Sequence, residues 1–207
     1  GLMAFEYERH FFQELRQGLQ KNPGLVLEIE GALTAVHDRY DTTIWENRFV
    51  AGGVTEQIIG SAARSLGIEV NNAGKLNQGY DLELSSGEGM SIKAVFASKG
   101  GQVRLVNNMG PGTRQWKDAT IFPMAGVGIG YSDPDLTPGI TKSSGDALVI
   151  PSRELKRFCA DNPEWLIDFV AVAEKSKGGN TAVASDVVAF ELFQRFPTLM
   201  ENFRPEI

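Results

Sequence analysis

Residues 79–98, GYDLELSSGEGMSIKAVFAS, decide the fold because two alternating segments flank a glycine-containing turn. Apolar or aromatic side chains occupy the even positions on both sides of the turn: Tyr80, Leu82, Leu84, Met90, Ile92, Ala94 and Phe96. The odd positions carry polar or charged side chains: Asp81, Glu83, Ser91 and Lys93. Since successive side chains of a strand point to opposite faces of a sheet, the pattern predicts a β-hairpin with one apolar face.

The odd positions of this hairpin form a polar face with two possible meanings. With residues 85–89 as the turn, antiparallel pairing predicts Asp81 opposite Lys93 and Glu83 opposite Ser91. A slip of one residue would bury the polar face, so the pairing is well specified. The face is either a solvent-exposed surface with a cross-strand ion pair or a functional site.

The sequence before the hairpin predicts helices. Amphipathic or apolar helical spacing covers residues 4–21 and 25–45, and a third helix begins at Gly53 or Thr55 and ends at Gly67. After the hairpin, strands are predicted within 101–108, 118–124 and 146–151, with a short one at 67–70 before it. Helices are predicted again at 152–159, 164–175 and 184–196.

This order predicts an α/β or α+β fold in which a central mixed β-sheet is flanked by helices. We expect one domain in three parts. They are a helical part at about 1–67, a sheet core at about 68–151 and C-terminal helices at about 152–207.

The composition and the spacing of residues argue against several classes of protein and of binding site. The chain has 207 residues and a formal net charge of −6. Its single cysteine, Cys159, indicates a reducing, cytoplasmic location, and we expect its thiol to be packed rather than nucleophilic. No apolar stretch is long enough to span a membrane. The two histidines, His10 and His37, lie too far apart for a zinc motif. The GVGIG segment at 126–130 lacks a following helix, so it predicts a glycine-rich turn or bulged strand rather than a phosphate loop.

Positive charge is concentrated after the hairpin. No acidic residue lies between Glu88 and Asp118, whereas this interval carries five basic residues: Lys93, Lys99, Arg104, Arg114 and Lys117. The gap is either a chance distribution or a local surface for an anionic partner.

The hairpin and the helix before it resemble the core of the PD-(D/E)XK nucleases, especially the type II restriction endonucleases. That family places an aspartate at the start of one strand and an acid-x-lysine motif on the next. Asp81 matches the aspartate, Lys93 matches the lysine, and Glu56 in NRFVAGGVTEQIIG takes the place of the helix glutamate. Ser91 departs from the pattern, because it stands where the family has an acid. The resemblance covers about 47–125.

The resemblance implies a Mg²⁺-dependent site, in which Mn²⁺ can substitute, and a fold of the restriction-endonuclease type. Asp81 would be the main ligand, and Glu56 would bind directly or through water. The backbone carbonyl of Ile92 would be a further ligand. Because position 91 holds a serine instead of an acid, Glu83 would be the alternative carboxylate ligand. Lys93 would lower the pKa of the attacking water or stabilise charge on the phosphate.

The same resemblance implies double-stranded DNA as substrate and a homodimer that cuts both strands. Phosphate contacts are expected from Lys99, Arg104, Arg114 and Lys117. Contacts to base edges are expected from Asn107, Asn108, Arg114 and Gln115, although Arg114 and Gln115 are equally interpreted as ordinary loop residues.

Two other functions stay open on the sequence. Ser91 would also mark a lost site in a catalytically silent DNA-binding or assembly protein of nuclease fold. A nuclease of the same fold working in repair or phage defence is the other alternative.

Overall fold

A computed structural model describes residues 4–43, 45–73, 79–96, 100–106, 115–170 and 184–205. The helices in these ranges are α1 (Glu6–Gln20), α2 (Pro23–Arg39), α3 (Trp45–Ser65), α4 (Ser152–Asp161), α5 (Ser185–Phe193) and α6 (Pro197–Glu201). The strands are β1 (Val70–Asn72), β2 (Leu82–Leu84), β3 (Gly89–Ile92), β4 (Gln102–Val106), β5 (Thr120–Met124), β6 (Gly128–Ser132), β7 (Lys142–Ser144), β8 (Ala147–Pro151) and β9 (Leu166–Ile167).

The strands form two sheets, and the helices flank the larger one. The six-stranded sheet has the order β1-β2-β3-β5-β6-β9, and the smaller sheet has the order β4-β8-β7. The pair β3–β5 is parallel, while the other neighbours in both sheets are antiparallel. The predicted mixed sheet flanked by helices is therefore confirmed.

Apolar side chains are buried on both faces of the larger sheet. On one face, Ile92 and Ile121 pack with the helices in the main core. On the other face, Phe122 and Met124 pack with the smaller sheet and with Leu155 of α4. Every residue of β5 is buried, as expected of a central strand covered on both sides.

The helix predicted at 25–45 is in fact interrupted, and the third helix begins earlier than expected. α2 ends at Arg39, and α3 begins at Trp45 rather than at Gly53 or Thr55. The interruption has a local cause: the Asp41 carboxylate accepts hydrogen bonds from the amide (3.0 Å) and the hydroxyl (2.6 Å) of Thr43. Such side-chain bonds compete with helix continuation. None of the helices in the described ranges is long and apolar enough to cross a bilayer.

The hairpin register also differs from the prediction. Leu82 pairs with Met90 and Glu83 pairs with Gly89, so Glu83 does not face Ser91 and Asp81 does not face Lys93. The turn closes more tightly than expected, because the amide of Leu84 donates to the carbonyl of Glu88 at 2.9 Å. The shift keeps even positions opposite even positions, so the predicted apolar face is retained, with Leu82, Met90 and Ile92 buried.

Two further segments differ from the sequence predictions, and two other features agree with them. Residues 142–144 form β7, which was not predicted. The segment predicted as a helix at 164–175 instead contains a 3-10 turn and then β9, and its residues 171–175 lie outside the described part. The GVGIG segment leads into β6, in agreement with the strand interpretation. Cys159 is fully buried, as predicted for a packed thiol.

A close contact between α3 and β1 fixes the helix on the sheet. Asn72 of β1 lies against the backbone of Gly60, where a β-carbon would collide with the Asn72 amide group. That amide group accepts a hydrogen bond from Arg64 (3.0 Å) and donates one to the carbonyl of Glu56 (2.8 Å). The absence of a side chain at Gly60 thus allows β1 to hold the turn of α3 that carries Glu56.

We expect Gly60→Ala to lower the free energy of unfolding by about 1–2 kcal/mol, because the methyl group must displace Asn72 from its hydrogen bonds. Gly52→Ala is the matched control, since it lies in the same helix and a β-carbon added there would meet no atom within 4 Å. It should stabilise the protein by up to about 1 kcal/mol through helix propensity. Urea denaturation of both variants measures the difference, and equal stabilities would contradict the assigned contact.

Candidate active site

Asp81 is hydrogen-bonded to β3 through both its backbone and its side chain. It lies one residue before β2, and its backbone amide donates to the carbonyl of Met90 at 2.9 Å. Its side-chain carboxylate accepts a 2.7 Å hydrogen bond from the backbone amide of Ile92. The carboxylate is therefore held at the end of β3, next to the residue that precedes Lys93. Ile92, predicted to offer its carbonyl to a metal ion, contacts Asp81 through its amide.

Glu56 reaches the same place from α3. Its carboxyl group is hydrogen-bonded to the carboxyl group of Asp81. Burial raises the pKa of Glu56 to about 8, the negative charge of Asp81 contributes to the rise, and the positive charge of Lys93 opposes it. Two carboxyl groups can share a hydrogen bond only if one is protonated, so Glu56 carries the proton near neutral pH.

Of the two carboxyl groups, that of Asp81 has the surroundings that favour the ionised form more than those of Glu56 do. Burial raises its pKa, but the Ile92 amide and the charge of Lys93 both act in the opposite direction. Lys93 is partly buried just after β3, and its backbone amide donates to the carbonyl of Ile121 at 2.9 Å. The structure therefore brings together three residues predicted for the site: Asp81, Glu56 and Lys93.

Glu83 lies outside this group. Its side chain is exposed and accepts a 3.0 Å hydrogen bond from the Tyr80 hydroxyl. It takes no part in the interactions described for Glu56 and Asp81. The expectation that Glu83 lies across from Ser91 is corrected by the hairpin register, which places it opposite Gly89.

Asp118 is an acidic residue of the site that the sequence analysis did not identify. It lies two residues before β5. Burial raises the pKa of Asp118, the negative charge of Asp81 adds to this effect, and the nearby Ser91 hydroxyl opposes it. Lys93 acts in the opposite direction. An acid at the start of the strand predicted at 118–124 was visible in the sequence, but its neighbour on the parallel strand was not.

The residues predicted to bind DNA are described only in part. Lys99, Asn107, Asn108 and Arg114 lie outside the described residues. Arg104 is exposed on β4, in the smaller sheet, and Gln115 is exposed in the segment that leads to β5. Lys117 is also exposed, and its positive charge acts on the neighbouring Asp118. Lys117 thus lies beside the acidic site.

The carboxyl pair fits a hard divalent cation by its donor chemistry. Mg²⁺ is commonly held by one or two carboxylates together with water and substrate phosphate. In the described ranges no three His, Cys, Asp or Glu side chains lie close enough to hold one metal ion together. Glu56 and Asp81 therefore offer a two-carboxyl donor set, which water and phosphate would complete.

No protein-family model matches this chain, and no curated protein shows significant sequence similarity to it. The resemblance to the PD-(D/E)XK nucleases therefore stays a prediction from the sequence pattern.

The proton on Glu56 gives a stability test in metal-free buffer. The folded protein keeps this proton up to about pH 8, whereas the unfolded chain releases it near the ordinary glutamate pKa of 4.5. Unfolding therefore releases a proton between these values, and the free energy of unfolding falls as pH rises through this window. We expect Glu56→Gln to lack this loss of stability. The free energy of unfolding of the variant, minus that of the wild type, should therefore increase by on the order of 3 kcal/mol from pH 5 to pH 8.

Glu83→Gln is the control for this experiment, because Glu83 is exposed at the same hairpin. It should retain the pH dependence of the wild type. Chemical denaturation across the pH range measures all three proteins, and identical pH profiles for Glu56→Gln and wild type would contradict the assigned proton.

Proposed function

We propose that the protein is a Mg²⁺-dependent DNA endonuclease that hydrolyses phosphodiester bonds, of the type II restriction class. The observation that carries this proposal is the hydrogen-bonded pair of carboxyl groups from Glu56 and Asp81 beside Lys93. Burying two acids together is unfavourable, as the raised pKa values of both residues indicate. A cation-binding role gives a reason for an arrangement that stability alone would disfavour.

The residues divide the chemistry between them. When bound, a divalent cation supplies charge neutralisation at the phosphate and a more acidic water. Asp81, fixed by the Ile92 amide, would be the main ligand, and Glu56 would become a second one on losing its proton. The ammonium group of Lys93 would stabilise negative charge that develops on the phosphate during attack.

DNA as the substrate is supported by the local charge rather than by the net charge. Lys93 and Lys117 flank the acidic group, and the interval from Glu88 to Asp118 contains no acid. Basic side chains beside a nuclease site can hold the phosphate backbone even when the whole protein is acidic. Cleavage of both strands at a symmetric site requires two active sites, so we propose a homodimer.

A second candidate is a catalytically silent DNA-binding or assembly protein of nuclease fold. Two observations favour it: Ser91 occupies the acid position of the pattern, and Glu83 turns away from Asp81 towards Tyr80. This candidate predicts DNA binding without metal-dependent cleavage.

Cleavage of unmethylated plasmid and phage DNA with Mg²⁺ or Mn²⁺ distinguishes the two candidates. We expect discrete fragments from the wild type and a loss of activity of at least about 100-fold in Asp81→Asn and in Lys93→Ala. Asp81→Asn keeps an acceptor for the Ile92 amide, so the hairpin should stay folded.

Glu83→Gln is the control and should cut within about twofold of the wild type, because Glu83 is exposed outside the pair. Binding of the same DNA by the wild type without cleavage under either metal would favour the silent protein. Cleavage that survives Asp81→Asn would place the active site elsewhere.

A further inference from the structure

Arg64, in the last turn of α3, is a buried cation that contacts no acid in the described part of the chain. The residue is 7% exposed, and none of the ion pairs found there involves it. Burial lowers the pKa of Arg64 to about 10, the positive charge of Arg204 adds to this effect, and the negative charge of Glu69 opposes it. A buried charge without a contacting acid is unfavourable for stability, so its use to the protein lies in the groups that it joins.

The guanidinium group of Arg64 joins two segments that are distant in the sequence. Its Nε atom donates to the backbone carbonyl of Asn202, directly after α6, at 2.9 Å. Its Nη1 atom donates to the carbonyl of Val70 at 3.1 Å and to Oδ1 of Asn72 at 3.0 Å, both on β1. The planar fork of arginine makes these contacts in two directions at once, which the compact ammonium group of a lysine does not do.

The contact between Arg64 and Asn72 determines which end of the Asn72 amide group faces Glu56. A guanidinium group has donors only, so the oxygen of the Asn72 amide must face Arg64. The amide nitrogen then faces the other way, and it donates to the backbone carbonyl of Glu56 at 2.8 Å. The chain of hydrogen bonds therefore runs from Asn202 through Arg64 and Asn72 to the backbone of Glu56.

Resting on the proposed function, the geometry points to Arg64 as a positioning residue for Glu56. Arg64 orients the Asn72 amide, the amide holds the backbone of Glu56, and the Glu56 carboxyl group is thereby directed to Asp81. Because Arg64 is itself anchored at Asn202, the residue after α6 belongs to the same support. A displacement of about 1 Å can lower a catalytic rate by about 100-fold, even when the changed residue lies far from the reacting atoms.

The test measures Mg²⁺-dependent DNA cleavage by Arg64→Met and Asn72→Leu, each shown to be folded by circular dichroism. Both changes keep roughly the volume of the side chain and remove its hydrogen bonds. We expect kcat to fall by about 10- to 100-fold in each variant with KM unchanged, because neither residue contacts DNA in the proposed mechanism. The double variant should lose little more than the weaker of the two single variants, because both residues act through one contact.

Arg48→Met is the matched control, and a second measurement needs neither metal nor DNA. Arg48 is an exposed arginine of α3 that donates to the carbonyl of Thr42 at 2.6 Å, so its removal should leave cleavage unchanged. The second measurement is the carbon-13 NMR resonance of the Glu56 backbone carbonyl. Loss of the hydrogen bond from Asn72 should move this resonance upfield in both Asn72→Leu and Arg64→Met, and leave it in place in Arg48→Met.

The outcomes distinguish this inference from the proposed function. An unchanged Glu56 carbonyl resonance in folded Arg64→Met overturns the role of Arg64, and so does cleavage at the wild-type rate or a double variant in which the two losses multiply. If Arg64→Met does not fold, Arg64→Lys takes its place, because its ammonium group does not reproduce the fork between Asn202 and Asn72. If the wild type cuts no DNA with Mg²⁺ or Mn²⁺, the proposed function itself fails, and the carbonyl resonance still decides whether Arg64 holds the turn that carries Glu56.

Discussion

The close approach of α3 to β1 is the constraint on which the site depends. Because Gly60 has no side chain, Asn72 can lie against the helix backbone and bind both Arg64 and the carbonyl of Glu56. These contacts fix the turn of α3 from which Glu56 projects. Asp81 is fixed independently, through the amide of Ile92. The two carboxyl groups therefore meet because two separate sets of contacts, each including a hydrogen bond between a side chain and the backbone, bring them together.

The two buried carboxyl groups would repel each other if both were ionised, and the proposed cation would offset this repulsion. Burial raises the pKa of Glu56 to about 8 and the negative charge of Asp81 adds to the rise, so Glu56 keeps its proton at neutral pH. Lys93 reduces the repulsion but does not remove it. A divalent cation would displace this proton, and metal binding would then become stronger as pH rises. The same acids that destabilise the metal-free protein would thus become favourable ligands.

Local sequence patterns predicted the parts of the fold that depend on local alternation and helical spacing. Four of the seven even positions of the hairpin are buried as expected, whereas Tyr80, Ala94 and Phe96 are only partly buried. The helix glutamate at position 56 does interact with Asp81. The hairpin register was wrong because a turn of a different length preserves the same apolar face, so the pattern at Leu82 and Met90 does not distinguish the two. The interruption after α2 depends on a side-chain turn at Asp41, which helical spacing does not reveal.

Asp118 was missed for a different physical reason. Its position near Ser91 depends on the parallel pairing of β3 with β5, and the chain between these strands passes through the smaller sheet. Parallel pairing between distant segments leaves little signal in a single sequence, because each strand carries only its own apolar pattern. Ser91 accordingly looked like a lost ligand, whereas in the folded chain it pairs with Thr120, two residues after Asp118.

The most direct test of a metal centre at the carboxyl pair is a crystal structure of the protein grown with Mn²⁺, with anomalous scattering used to locate the ion. We expect one strong anomalous peak in contact with the Asp81 carboxylate, and no proton-mediated hydrogen bond between Glu56 and Asp81. Fully occupied Mn²⁺ elsewhere, with the Glu56–Asp81 hydrogen bond unchanged, would contradict it.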